Sequence, residues 1–269
     1  MKLRKKKPDS SDMSFVAHLD VLRGVLIRCV VAWCIMMIGA FALKDFLFSL
    51  LLAPTRSDFL TWRLLAQCGF PYSPTSQIPY SLISTELTGQ FLTHVSISLW
   101  TGFIVALPYI IWQLYRFIQP AIGEQQSSKK ISICLSAVGL FFVGVVLNYF
   151  VIFPFAYRFL MDYQVNQAVV NMISLSSYIG TFLTLSLIMG VLFELPLLAW
   201  ILAYLGLLEA SILRQYRKHA VVLIVILAAI ITPTGDAFTL LLVSVPIYLL
   251  YELSIGIIAH TKLSLSNWR

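Results

Sequence analysis

Long apolar segments alternate with short polar ones along most of the chain. A helix that spans a bilayer needs about 20 mostly apolar residues. Six segments are apolar enough to be such helices: 24–43, 91–115, 131–153, 178–205, 217–232 and 237–258. The fifth is short for a typical bilayer and needs local thinning or shelter from its neighbours. The pattern therefore predicts an all-α membrane protein with six transmembrane helices, the last two of them short.

The polar segments and the prolines refine this prediction. Residues 44–66 mix apolar and charged positions as an interfacial helix does, and prolines predict irregular chain at 69–81. Pro154 opens a second segment on the same side, 154–177. Proline removes a helix hydrogen bond and kinks the helix, so we expect kinked helices that pack around a cup-like surface. Three prolines lie in or beside predicted spans: Pro108, Pro196 and Pro246.

Charge supports a membrane location and predicts an orientation. Only 12% of the residues are charged, whereas soluble domains carry about 25%. With six spans, fifteen of the 19 Lys and Arg residues fall on the side of the N-terminus. Such an excess marks the cytoplasmic side, so both termini are expected there. We expect one membrane domain, 18–258, between a basic N-terminal tail, 1–17, and a C-terminal tail, 259–269.

Two carboxylates near the apolar segments are candidate functional groups. Glu194 interrupts the segment SLIMGVLFELPLLAWIL, and charged residues in hydrocarbon are costly, rare and usually functional. Gly190 lies one turn earlier on the same helical face and leaves room for a local polar pocket. Two alternatives remain open: a proton relay in a small-solute transporter, and a neutral glutamate hydrogen-bonded to a neighbouring helix. Asp236 precedes the sixth span and can cap that helix.

Motifs for catalysis or metal binding are missing from the sequence. The four histidines form no HExxH pair, and no serine-protease, aspartyl-protease or nucleotide-binding motif is present. The four cysteines form neither a CxxC pair nor a Cys/His cluster at metal-ligand spacing. We therefore expect no enzymatic activity, no metal and no other cofactor. No nucleic-acid partner is expected either.

Six motifs occur in order along nearly the whole chain. They are HLDVLRGVLIR (18–28), STELTGQF (84–91), LPYIIWQLYRFIQPAI (107–122), FPFAYRFL (153–160), GVLFELP (190–196) and ITPTGDAF (231–238). Each is weak alone, but their order and spacing are specific. Together they resemble the TatC family, the multi-spanning core subunit of the twin-arginine protein translocase.

This resemblance implies a fold, a role and a set of partners. TatC proteins resemble a cup of six bent helices, and they recognise the twin-arginine signal peptides of folded precursor proteins. They act with TatA-like and TatB-like single-span subunits and with further TatC copies in the lipid bilayer, powered by the proton-motive force. The implied location is the bacterial cytoplasmic (inner) membrane, or an organellar membrane.

The resemblance also implies site residues, because two arginines require carboxylates that accept charge-assisted hydrogen bonds. Val21 stands where the family has its N-terminal glutamate, and Asp20 lies one residue earlier. Gln126 stands where the family has a loop acid, and Glu124 lies two residues earlier. Glu194 is the expected intramembrane polar site, and Thr232 and Asp236 are expected to contact partner helices. The expected signal-peptide site comprises Asp20, Arg23, Gln113, Phe117, Pro120, Glu124 and Gln126.

Overall fold

The computed structural model of the chain is helical and describes residues 15–56, 58–69, 82–122, 130–164, 166, 171–232 and 235–266. The α-helices in these ranges are numbered in chain order. They are α1 (Phe15–Ala42), α2 (Lys44–Leu51), α3 (Leu60–Gln67), α4 (Gly89–Ile122), α5 (Lys130–Leu147), α6 (Phe153–Asp162), α7 (Leu175–Phe193), α8 (Leu195–Tyr204), α9 (Ala210–Gln215), α10 (Arg217–Ile231) and α11 (Ala237–Ser266).

Five helical regions of the described chain are long and apolar enough to cross a membrane, by length and composition. The all-helical membrane class predicted from the sequence is thereby confirmed. The segment predicted as the fifth of six spans forms α10, which has 15 residues. At 1.5 Å per residue it is about 22 Å long, shorter than the roughly 30 Å hydrocarbon core. The five regions are Leu19–Ala42, Gly89–Phe117, Ile131–Asp162, Leu175–Tyr204 and Ala237–Ala259.

Helices α1 and α4 pack side by side in opposite directions. The Trp33 indole N–H donates to the Leu99 carbonyl at 2.9 Å. Further along, the Phe41 ring stacks on His94 with 4.1 Å between ring centroids. Because residue numbers rise along α1 as they fall along α4, the start of α1 and the end of α4 lie at the same end of the helix bundle. We call it the terminal end, and the opposite one, which carries α2 and α3, the cap end.

The third predicted span does not end at Pro154, and this expectation was wrong. After α5 the chain forms a π-helical segment, Asn148–Ile152, and then continues as α6 to Asp162. Pro154 is the second residue of α6 and is buried. In a regular α-helix the Phe150 carbonyl would accept the N–H of residue 154, which proline lacks. The Thr61 hydroxyl of α3 donates to that carbonyl instead.

The segment 44–66 forms two short helices, α2 and α3, where the sequence predicted one interfacial helix. A 3₁₀ turn that contains Pro54 separates them. The Tyr149 and Tyr178 hydroxyls donate to the carbonyls of Leu50 and Leu51, at 2.8 and 2.9 Å. These carbonyls lie at the end of α2, where a helix leaves its last C=O groups unpaired. Two tyrosines from the long helices therefore hold α2 against the cap end. Of the predicted irregular segment 69–81, all but Gly69 lies outside the described residues.

One of the three predicted proline kinks coincides with a break in helical structure. A turn at Glu194, two residues before Pro196, separates α7 from α8. Helix α4 continues through Pro108, and α11 continues through Pro246. The break therefore places the one carboxylate of this apolar region at a helix junction, which positions the candidate site described next.

Candidate functional site

The charged part of the predicted signal-peptide site lies at the start of α1. Asp20 and Arg23 are exposed there and are three residues apart, so they share a helical face. In the antiparallel register set by Trp33 with Leu99, this turn lies near the last turns of α4. The structure thus brings Asp20 and Arg23 to the same end of the bundle as Gln113 and Phe117.

Gln113 is a buried residue of α4, with 6% of its surface exposed. Its Nε2 donates to the Tyr109 hydroxyl at 2.7 Å, one turn earlier. Its Oε1 is buried and accepts no hydrogen bond from the described residues. Unsatisfied buried acceptors are uncommon in proteins. Gln113 therefore holds an unused buried acceptor, and its partner Tyr109 was missed by the sequence reasoning. The four-residue spacing of two polar groups on an apolar helix was the available signal.

The other predicted members of this site are described to different extents. Phe117 is partly buried near the end of α4. Pro120 belongs to the last turn of α4, of which the structure describes the backbone only. Glu124 and Gln126 lie outside the described residues. The loop that contains these two residues leaves α4 at the terminal end, the end that also holds Asp20.

Glu194 lies between α7 and α8, inside the apolar region Leu175–Tyr204. Its side chain is partly exposed, and its Oε1 is buried without a hydrogen-bond partner among the described residues. The pocket expected beside Gly190 is not open, because the Phe141 ring fills it. A Cβ on Gly190 would lie 2.5 Å from Phe141 Cε2. Glu194 therefore offers one unused acceptor at a helix junction within the membrane region.

Thr232 and Asp236 lie at the cap end, remote from Asp20. Thr232 is buried, and its hydroxyl donates to the Ala228 carbonyl at 2.9 Å. The Asp236 Oδ1 accepts the Thr239 N–H at 2.7 Å, which confirms the predicted cap of the last helix. An aspartate there also faces the positive end of the helix dipole. Each side chain therefore bonds within its own helix, Thr232 at the end of α10 and Asp236 at the start of α11.

An open groove runs between α10 and α11. Its volume is about 290 Å³, and its lining is almost entirely apolar. The lining side chains recur every three or four residues on both helices, as one face of each helix requires. Sequence reasoning missed this groove because it depends on how two helices are rotated against each other. The lining residues are Val221, Ile224, Val225, Ser244, Val245, Tyr248 and Leu249.

Metal ligands are not gathered together in the part of the chain that the structure describes. No group of three His, Cys, Asp or Glu side chains there could hold an ion. The described site residues offer a different chemistry. Asp20 and Arg23 can form ion pairs, Gln113 and Glu194 can accept hydrogen bonds, and Phe117 can pack against an apolar ligand.

Comparisons with known proteins agree with one another. A family model described as "Sec-independent protein translocase protein (TatC)" matches residues 17–246. A protein of that name from Deinococcus radiodurans is 36% identical over 253 residues, which cover 94% of this chain and 88% of its own length. The Aquifex aeolicus protein of that name is 31% identical over 244 residues, which cover 90% of this chain and 93% of its own length.

Solved structures give the same result at the level of the fold. A crystal structure described as "Twin Arginine Translocase Receptor- TatC" is 30% identical and superimposes with a TM-score of 0.73, covering 91% of this chain and 99% of that chain. A second crystal structure of that description, in DDM, is 31% identical and superimposes with a TM-score of 0.74. It covers 89% of this chain and 98% of that chain. All of these proteins belong to the family that the sequence motifs indicated.

Proposed function

The chain belongs to the TatC family of Sec-independent protein translocase proteins, and we propose that it is the signal-peptide receptor and core scaffold of a twin-arginine translocase. The observation that carries this proposal is the fold match, which covers 99% of a translocase receptor and 91% of this chain. The chain is a transport protein and not an enzyme. The proposed activity is export of folded proteins across an energised membrane, driven by the proton-motive force.

The proposed topology has six spans, with α10 as the short fifth one. The exposed apolar side chains of α10 support it, because such a surface fits a lipid environment. The 15 residues of α10 then require a locally thinned membrane. The positive charges support cytoplasmic termini, with the terminal end in the cytoplasm. The named relatives are bacterial, which favours the cytoplasmic membrane as the location.

The proposed receptor surface lies at the terminal end. Asp20 supplies an exposed carboxylate that can accept a bidentate bond from an arginine of the signal peptide. Gln113 supplies an unused oxygen, Phe117 supplies an apolar ring, and Pro120 belongs to the proposed set. Glu124 and Gln126 in the following loop complete the proposed set. Arg23 lies on the same face as Asp20 and balances its charge.

The proposed partner sites lie deeper in the membrane. Glu194 offers its unpaired oxygen to the apolar part of the signal peptide or to a partner helix. The groove between α10 and α11 is the proposed seat of a TatA-like or TatB-like single-span helix. A spanning helix of about 20 residues is longer than α10 and would cover its exposed apolar side chains. Thr232 and Asp236, at the cap end of this groove, are the proposed contacts to the partner helix.

Photo-crosslinking to a twin-arginine precursor tests the receptor proposal. A photo-crosslinking amino acid replaces Val21 or Leu114, which are exposed beside the proposed site and leave Asp20 and Gln113 intact. The same probe at Leu87, exposed near the cap end, is the matched control. We expect Val21 and Leu114 to crosslink to an Arg-Arg precursor about tenfold more than to a Lys-Lys precursor.

The variant Asp20→Asn should reduce the Arg-Arg crosslink about tenfold, since it removes a charge-assisted bond. Equal crosslinking of the two precursors at Val21 and Leu114, or crosslinking at Leu87 alone, would refute the receptor surface. Membrane levels of each variant serve as the folding control.

A further inference from the structure

A polar cluster joins three elements at the terminal end of the α10–α11 groove. Arg217, the first residue of α10, places its Nη2 2.6 Å from the Glu252 Oε2 of α11. The other Glu252 oxygen, Oε1, accepts a hydrogen bond from the Tyr248 hydroxyl at 3.1 Å. One turn along, the Tyr251 hydroxyl donates to the Leu213 carbonyl of α9 at 2.6 Å. Both ends of the α9–α10 connection are thus bonded to α11.

Tyr248 belongs to this cluster and to the groove at the same time. Its ring lines the groove together with Val221, Val225 and Val245, while its hydroxyl is bonded to Glu252. The position of the Glu252 carboxylate therefore affects where one wall of the groove lies. Tyr248 precedes Glu252 by four residues, which puts the two side chains on the same face of α11.

Apolar packing alone leaves the rotation of α10 weakly determined. Only Ile224, Ala228 and Ile231 of this helix are buried, and they form one narrow stripe. Exposed side chains such as Val222 and Ile230 surround that stripe. Lipid tails are as apolar as these side chains, so no hydrophobic force favours one rotation over another in a bilayer. A polar contact at the first residue of the helix fixes the rotation that the stripe does not.

We propose that Arg217, Glu252 and Tyr248 are positioning residues that set the rotation of α10 against α11, and with it the shape of the partner-helix groove. The proposal rests on the proposed docking of a single-span subunit in that groove. Exposed ion pairs usually contribute little to stability, and Arg217 and Glu252 are 48% and 30% exposed. The predicted consequence is therefore a change in groove geometry and docking, with the amount of folded protein unchanged.

Distance measurements between spin labels test the positioning role without a partner. The labels are attached to cysteines that replace Val222 and Leu249, which are exposed on α10 and α11, in a chain without its native cysteines. We expect Arg217→Gln and Glu252→Gln each to broaden the distance distribution, and Tyr248→Phe to broaden it less. The exchange Arg217→Glu with Glu252→Arg should restore a narrow distribution. The control is Asp162→Asn, which breaks an ion pair of equal length, 2.6 Å, at the cap end.

Docking is measured by photo-crosslinking from Val225, which lines the groove, to a single-span TatB-like subunit. We expect each single charge variant to lower the yield about fivefold and the exchange to restore it. Unchanged distances in the single variants, or an exchange that restores nothing, would overturn the positioning role. If the distances change but the probe at Val225 gives no crosslink even with Arg217, Glu252 and Tyr248 intact, docking is refuted and the positioning role stays in place. If every single variant keeps a strong crosslink, the positioning role is refuted and the docking proposal is retained.

Discussion

At the scale of single residues, close backbone contacts depend on glycine. A Cβ on Gly144 of α5 would lie 2.5 Å from the Met189 carbonyl oxygen of α7. Backbone atoms of a packed helix cannot move aside as a flexible side chain does, so Gly144→Ala must separate the two helices. We expect a loss of about 1–3 kcal/mol in the free energy of unfolding, the usual cost of overpacking. Thermal unfolding in detergent, followed by circular dichroism, would measure it.

Gly139 provides the matched control, since it lies on the same helix and a Cβ there would meet no atom within 4 Å. Gly139→Ala should be neutral or slightly stabilising, because alanine is the better helix former. If Gly144→Ala unfolds at the same temperature as Gly139→Ala, the close contact between α5 and α7 is wrong.

Residue-level features were predictable where the interaction is local in sequence. Asp236 precedes a helix that its carboxylate can cap, and the bond to the Thr239 N–H is present. The space beside Gly190 was misjudged, because the ring that fills it belongs to Phe141, 49 residues earlier. A single sequence gives the period of a helical face but not which residue of another helix packs against it. The same limit applies to the cluster of Arg217 with Glu252.

At the scale of elements, one hydroxyl connects the cap helix α3 to the third long helix. The Thr61 hydroxyl takes the place of the N–H that Pro154 cannot supply to the Phe150 carbonyl. We expect Thr61→Val, which keeps the shape and removes the donor, to cost about 1–3 kcal/mol because a part-buried carbonyl loses its bond. Thr61→Ser should retain most of the stability. The free energy of unfolding in detergent would measure both.

Restoring the backbone donor gives a sharper test of the same contact. Pro154→Ala supplies an N–H one turn after Phe150, so it should recover much of the loss in the Thr61→Val background. In a double-mutant cycle, the two changes should therefore be coupled by more than about 0.5 kcal/mol. Additive effects would show that Thr61 and Pro154 do not share the Phe150 carbonyl.

Elements themselves were predicted well where hydropathy alone defines them. Every predicted span falls on helical structure, since about 20 apolar residues leave few other structures in a membrane. Span 178–205 is divided into α7 and α8 by the turn at Glu194. Pro154 misled the prediction because its missing N–H is compensated by Thr61, 89 residues away from Phe150 in the sequence. The structure describes the proposed receptor site only in part. Asp20 and Gln113 are described, whereas Glu124 and Gln126 lie outside the described residues.

At the scale of the whole molecule, the proposed topology makes two neighbouring positions accessible from opposite sides. Leu207, between α8 and α9, is exposed at the terminal end, and Phe238, at the start of α11, is exposed at the cap end. Only α9, α10 and their connections separate them. If α10 crosses the membrane despite its 15 residues, a cysteine at Leu207 faces the cytoplasm and one at Phe238 faces the opposite side.

Labelling with a membrane-impermeant maleimide distinguishes six spans from five. Both variants are made in a Cys68→Ser background. We expect Phe238→Cys to react in intact spheroplasts, and Leu207→Cys to react only after the spheroplasts are lysed. The unsubstituted chain supplies the positive control, since Cys68 is exposed at the end of α3 and should react from outside. Cys34 is exposed on α1 but lies within an apolar span, where lipid shields it from the reagent. Reaction of both engineered cysteines only after lysis would mean that α10 does not cross the membrane. The excess Lys and Arg residues would then lie on a cytoplasmic face that is folded differently from the proposed one.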